Sequence, residues 1–137
     1  MDNHSLAKRH YHTASVIFEE AKELFRKGVF HLVVRRSQEC VELALKGLLE
    51  YFGIDYPKKH DVGDVLQKVL TQRNIGNKDT MDRLVKISKE LAENREVSFY
   101  GSENGKAPDE LFSQGNAEKA ITEATYVLEF TKGILRE

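Results

Sequence analysis

The chain has no tryptophan, two prolines and one cysteine among its 137 residues. A lone cysteine, Cys40, excludes an intrachain disulfide and leaves no CxxC pair for zinc or redox chemistry. Scarce proline, with nine glycines falling mostly between apolar blocks, favours helices with discrete breaks. Charge of one sign is missing as well: 21 Lys and Arg stand against 22 Asp and Glu, a formal charge of −1. Bulk electrostatics therefore gives no pull towards nucleic acid, although a local patch stays open. No apolar run approaches membrane-spanning length, and "MDNHSLAKRHYH" lacks the apolar centre of a secretory signal, so the expected location is cytoplasmic, away from membranes.

Several chemical motifs are absent too. No P-loop, GxGxxG, nucleophile elbow, HExxH or acidic metal triad occurs. His10 and His12 lie two apart, a spacing that cannot face one metal from a helix as an i,i+4 pair would. No metal and no cofactor are expected, and no residue is assigned a catalytic role.

What the sequence has is helical rhythm. Apolar residues make up 40% and charged residues 31%, enough for one domain over residues 1–137 with a single core. Ala7, Tyr11, Ala14, Phe18, Ala21 and Phe25 recur at steps of four and three, predicting a helix from about Ser5 to Lys27. Ser5 suits its N-cap and Gly28 its C-terminal stop. Phe30, Val34, Ser37, Val41, Ala44, Leu48 and Phe52 repeat the pattern until Gly53. So short a break between long helices predicts an antiparallel hairpin.

Pro57 keeps Tyr56 out of helical geometry, making Gly53–Asp61 a loop. Asp61 then caps a shorter helix to about Arg73, with Val62, Val65, Leu66, Val69 and Leu70 inward. A fourth helix starts near Asp79 with Leu84, Ser88 and Leu91 in register. Gly101–Gly115 reads as a polar loop pinned by Leu111 and Phe112. The last helix runs from about Asn116 to Leu135, its stripe carried by Ala117, Ile121, Ala124, Leu128, Thr131 and Leu135. Small stripe residues (Ala14, Ala21, Ala44, Ala117, Ala124) permit close helix approach. The expected fold is all-α, an up-and-down four-helix bundle with an additional short helix.

Arg95 breaks the pattern. Positions 84, 88, 91 and 95 continue one stripe, which aims a guanidinium at the bundle or at a partner. Burying arginine is costly without a carboxylate, phosphate or carbonyl to meet it. Two readings follow: an internal ion pair, for instance with Glu42, or an anion site using the bidentate fork of arginine. Tyr100 lies five residues on, about 140° round an ideal helix, and converges with Arg95 only if the helix loosens or a dimer joins the copies. On the second helix Arg35, Glu39, Glu42 and Lys46 form a polar stripe. As i,i+4 pairs they suit a solvated, salt-bridged face, yet Glu42 and Lys46 also border the apolar stripe and could line a cleft. His60 follows Lys58 and Lys59 in a small basic knob, where local hydrogen bonding at a helix start is the plainer role. The candidate ligand-binding residues are Arg95, Tyr100, Glu42, Lys46 and His60.

The stretch "AKELFRKGVFHLVVRRSQECVELALKGLLEYFGIDYPKKHDVGDVLQKVL" resembles the prokaryotic HEPN domain. The likeness lies in a helix, a turn with Gly28 and Phe30, then "SQECVELALKGLL", a lysine-bearing loop, and a histidine opening the next helix in "KKHDVGDVL". "ENREVSFYG" resembles the arginine-plus-aromatic segment of that family. The resemblance implies a helical homodimer, often encoded beside a minimal nucleotidyltransferase as a toxin–antitoxin-like pair. It also implies nucleotide or RNA chemistry, because many members are metal-independent RNases using an arginine followed after four to six residues by a histidine. Arg95 matches that arginine, but Tyr100 stands at the histidine position. A phenol with pKa near 10 is a poor general base at neutral pH. "RKGVFH" (Arg26 to His31) matches literally but spans the first turn, outside the segment where the family carries the motif.

Three functions compete on this basis. The first is a non-catalytic HEPN binding module working with a nucleotidyltransferase and holding a nucleotide or RNA phosphate at Arg95. The second is a metal-independent endoribonuclease toxin in which Tyr100 or His60 assists. The third is a purely structural helical dimer.

Overall fold

A computed structural model describes residues 2–56 and 58–136. Among these residues the chain forms seven helical segments and no strand. They are α1 (Asn3–Arg26), α2 (Phe30–Tyr51), α3 (Gly63–Gln72), α4 (Lys78–Glu93), α5 (Val97–Tyr100), α6 (Pro108–Leu111) and α7 (Gln114–Leu135). The all-α bundle is as expected, with the short α5 and α6 added to the five helices read from the sequence. One helical turn is too short to show a period, so pattern reading could not find them.

The punctuation explains the main hairpin. Gly28 takes φ of 74°. Val29 N–H donates to the Leu24 carbonyl and Gly28 N–H to the Phe25 carbonyl, both at 3.0 Å. This is the paired closure that a glycine in the left-handed region allows at a helix end. Gly53 ends α2 in the same way, with Ile54 N–H on the Leu49 carbonyl and Gly53 N–H on that of Glu50. At the other end of α1 the cap differs from expectation: Asp2 accepts from Ser5 N–H at 2.8 Å. A carboxylate there also suits the positive end of the helix.

α2 lies at the centre and packs on α1, α7, α4 and the shorter segments. Its stripe residues Val34, Ser37, Val41, Ala44 and Leu48 are all buried, joined by Leu45 and Leu49. Each fully buried leucine contributes about 1.5–3 kcal/mol by removing apolar surface from water. Ala14, Ala21, Ala44, Ala117 and Ala124 are fully buried, as the small-residue stripes predict. α1 and α2 approach closely at Gly47, where an added Cβ would sit 3.0 Å from His10 Cβ and 3.4 Å from the Ala7 carbonyl. Side-chain pattern carries no sign of that contact, because glycine is silent in a hydrophobic stripe.

Two helix boundaries move. Asp61 does not cap α3; Val62 holds the cap position, with no side-chain bond. The Asp61 carboxylate instead accepts from Gly63 N–H at 2.9 Å and from Ser88 Oγ at 2.8 Å. It thereby clamps the start of α3 to α4. α4 stops at Glu93, so Arg95 lies in the turn between α4 and α5 and not on the helical stripe. Pro57, expected to hold Tyr56 out of a helix, falls outside the described residues; Tyr56 itself is non-helical.

Candidate functional site

Leaving the stripe, Arg95 is half-buried and turns towards α2. Its backbone is held from two sides: Arg35 Nη1 donates to the Arg95 carbonyl at 2.6 Å, and Ser98 Oγ donates to it at 2.9 Å. Ser98 is fully buried, which roots α5 and sets the turn. From this mount the guanidinium donates through Nε to His60 Nε2 at 2.9 Å and through Nη1 to Gln38 Oε1 at 3.1 Å.

Both partners lead to Glu42. Gln38 Nε2 donates to Glu42 Oε1 at 2.7 Å, and the other ring nitrogen of His60 lies 2.8 Å from the same oxygen. Lys46 Nζ donates to Glu42 Oε2 at 2.8 Å. Arg95, His60, Glu42 and Gln38 thus close a ring of hydrogen bonds, with Lys46 attached at the far carboxylate oxygen. A guanidinium only donates, so His60 Nε2 carries the lone pair. The proton therefore sits on Nδ1 and is donated to Glu42.

The electrostatics follow from this geometry. Glu42 is 18% exposed and Lys46 15%. Burial pushes the Glu42 carboxyl up, but hydrogen bonds from Lys46, Gln38 and His60 outweigh it and hold the group below its ordinary value. Glu42 is consequently a fixed anion, and Lys46 is its direct counter-ion. Among the described residues no carboxylate pairs directly with Arg95; its side-chain partners are a neutral amide and a neutral imidazole. Arg35 adds a further cation, its guanidinium 5.3 Å from the centre of the Phe99 ring. The nearby Asp61 carboxylate is turned to Gly63 and Ser88.

Four of the five residues expected at the site, Arg95, His60, Glu42 and Lys46, therefore meet. Tyr100 stays apart: it is 75% exposed and stacks edge-on with Phe99 at 4.9 Å. Of the i,i+4 pairs expected on α2, Glu42 with Lys46 forms and Arg35 with Glu39 does not. Arg36, not Arg35, pairs with Glu39, at 3.0 Å, which frees Arg35 for the Arg95 turn. Glu42 and Lys46 face inward under the 53–61 loop. His60, expected to bond locally, reaches residues 18 and 35 positions away. Sequence reasoning missed Gln38, only 2% exposed. The available signal was a polar residue one turn before Glu42 in a row at 38, 42 and 46.

Other candidates carry less. Arg26 of the literal "RKGVFH" match pairs with Glu23 at the end of α1, while His31 belongs to α2. The thiol of Cys40 is buried, which pushes it up to about 12 and makes it inert as a nucleophile at neutral pH. Among the described residues no group of three or more His, Cys, Asp or Glu is placed to hold a metal ion. No described helix is long and apolar enough to cross a membrane.

The family model of the HEPN domain matches residues 7–134. The chain belongs to the HEPN family. The crystal structure of an archaeal HEPN homologue superposes with a TM-score of 0.73 at 24% identity, covering 94% of this chain and 97% of that one. At that identity the likeness speaks for a shared fold. No curated protein matches the sequence. Within the HEPN frame, this chain pairs its late arginine with an imidazole from the 53–61 loop.

Proposed function

We propose that this HEPN protein is a binding module that holds a phosphate group of a nucleotide or an RNA at Arg95, with Lys46, His60 and Glu42 forming the rest of the site. The observation that carries this reading is the character of the Arg95 partners. Both are neutral, so its positive charge is oriented without being cancelled, and orientation without neutralisation is what an anion site requires. Lys46 bonds the Glu42 carboxylate directly, Arg95 is tied to it through His60 and Gln38, and Arg35 braces the Arg95 carbonyl. The module acts as a homodimer with a minimal nucleotidyltransferase, the company in which members of the family are commonly encoded. Tyr100 enters as an exposed ring close in sequence to the site, available to a ligand or to that partner enzyme.

The test is Arg95→Ala. Of its two side-chain partners His60 is about half exposed and the buried Gln38 keeps its bond to Glu42, so unfolding should shift by no more than about 1–2 kcal/mol, while binding of nucleotide or RNA should fall by about 1.5–3 kcal/mol. A melting point several degrees lower with binding unchanged, or no binding by the wild-type protein, would sink the reading and leave a structural bundle.

A second reading is favoured by one contact: Arg95 Nε lies 2.9 Å from an imidazole nitrogen. A metal-independent RNase needs an arginine and a base near pH 7. In this reading His60 replaces the missing motif histidine, with Glu42 holding its tautomer. RNA cleavage in the presence of a chelator, abolished by His60→Asn, would favour the enzyme over the binding module.

A further inference from the structure

Between α4 and α7 lies a groove of about 530 Å³ whose lining includes Arg83, Lys86, Ile87, Glu90, Lys119 and Glu123. It opens onto a smaller hollow that shares Glu90, Lys119 and Glu123 and reaches the apolar side chains of Val34 and Leu91. Glu123 is 9% exposed. Among the described residues nothing makes a hydrogen bond or ion pair to it, and its carboxylate oxygens open onto the groove and are not sealed in the core, so its donors must come from water or a ligand.

Nearby cations do not reach Glu123, and the two lysines make only exposed contacts with Glu90. Lys119 Nζ pairs with Glu90 at 3.3 Å and Lys86 Nζ lies 3.9 Å from the same carboxylate. The Arg83 guanidinium sits 3.8 Å from the centre of the Tyr126 ring. Three cations against two carboxylates leave the lining with one net positive charge, while its deepest charged group is a bare acid. A simple cation fits the floor but is repelled at the rim, and a simple anion meets the reverse. A molecule carrying N–H donors at one end and an anionic group at the other satisfies both.

We propose that this groove is a second ligand site, separate from the Arg95 cluster, which takes a small amphoteric molecule with its N–H end on Glu123 and its anionic end on Lys86 and Lys119. Two sources share that chemistry: a free amino acid with a basic side chain, and a nucleotide whose base presents adjacent N–H groups to a carboxylate. Burial also raises the Glu123 carboxyl above its ordinary value, although Lys119 counteracts this. Ligand affinity should therefore weaken as acid protonates it.

The experiment is a titration of the full chain, followed by amide NMR shifts, with L-arginine and with guanosine 5′-monophosphate as separate probes. At least one should bind below about ten millimolar and shift amides on α4 and α7. Glu123→Gln should weaken that binding at least about tenfold, an amide being a poorer acceptor than a carboxylate for charged or paired N–H groups. Arg95→Ala should leave it unchanged, which separates this site from the phosphate reading. Glu123→Gln should also melt at the same temperature as wild type or higher, since a bare buried charge is removed. The proposal is overturned if neither probe binds, if Glu123→Gln binds equally well, or if it melts lower. It is equally overturned if the groove amides shift with protein concentration alone, which would mean that a second copy covers the groove.

Discussion

Glu42 and Glu123 are two carboxylates in similar depth of cover, and they behave oppositely. Glu42 sits on the central helix, where Lys46, Gln38 and His60 all donate to it, and its carboxyl is held below the ordinary range. Glu123 sits on α7 with no donor, and burial pushes its carboxyl up. Burial penalises both anions; the donors around them decide the sign. A closed network around a buried acid makes it part of the architecture, and its removal strands the donors. An acid without a network is a standing cost that packing elsewhere must offset.

The largest expected break in this comparison is Glu42→Ala. It leaves Lys46, Gln38 and His60 without their acceptor and removes the one carboxylate that offsets Lys46 in the Arg95 ring. Breaking a well-buried pair costs about 3–5 kcal/mol; with Glu42 partly open to water a smaller loss, about 2–3 kcal/mol, is expected from urea denaturation. A loss under about 0.5 kcal/mol would show that the ring does not hold in solution.

The pH profile sharpens the contrast. For Glu42 the folded value lies below the unfolded one. Its contribution is full above the ordinary carboxylate value and is lost as pH falls through the lowered folded value. For Glu123 the folded value lies above the unfolded one. Stability attributable to it falls as pH rises from the ordinary value through the raised one, because the folded state then holds a proton that the unfolded state has released. Glu123→Gln should abolish that second slope and leave the acid limb untouched. A variant whose profile parallels wild type throughout would contradict the assigned shift.

The smallest effect expected is Glu123→Leu, which replaces a bare acid with an apolar side chain beside Ile87. Thermal unfolding should show a gain of up to about 1 kcal/mol, since exchanging poorly paired buried charge for packed apolar volume is neutral or stabilising. A clear loss would mean that Glu123 finds a partner in solution, and the two acids would then be alike.

The sequence by itself determined the helices and their faces. Stripes at steps of three and four predicted α1, α2 and α7 to within a few residues, because burial of one helical face imposes that period over many turns. The same pattern, with Gly28 and Gly53 as stops, predicted the hairpin. It also singled out Arg95, since a guanidinium in an apolar rhythm is conspicuous, though by extending α4 two residues too far it put Arg95 on the core stripe.

Tertiary structure alone decided what Arg95 meets. Its partners lie 35 and 57 positions away in sequence, and no helical period relates residues on different elements. The partners of Gln38 were illegible for the same reason: its place in the polar row at 38, 42 and 46 shows that it needs partners but not which. Glu123 was hidden more completely. On paper it belongs to an ordinary charged helix, and only the placement of α7 beside α4 leaves it covered and without a protein donor.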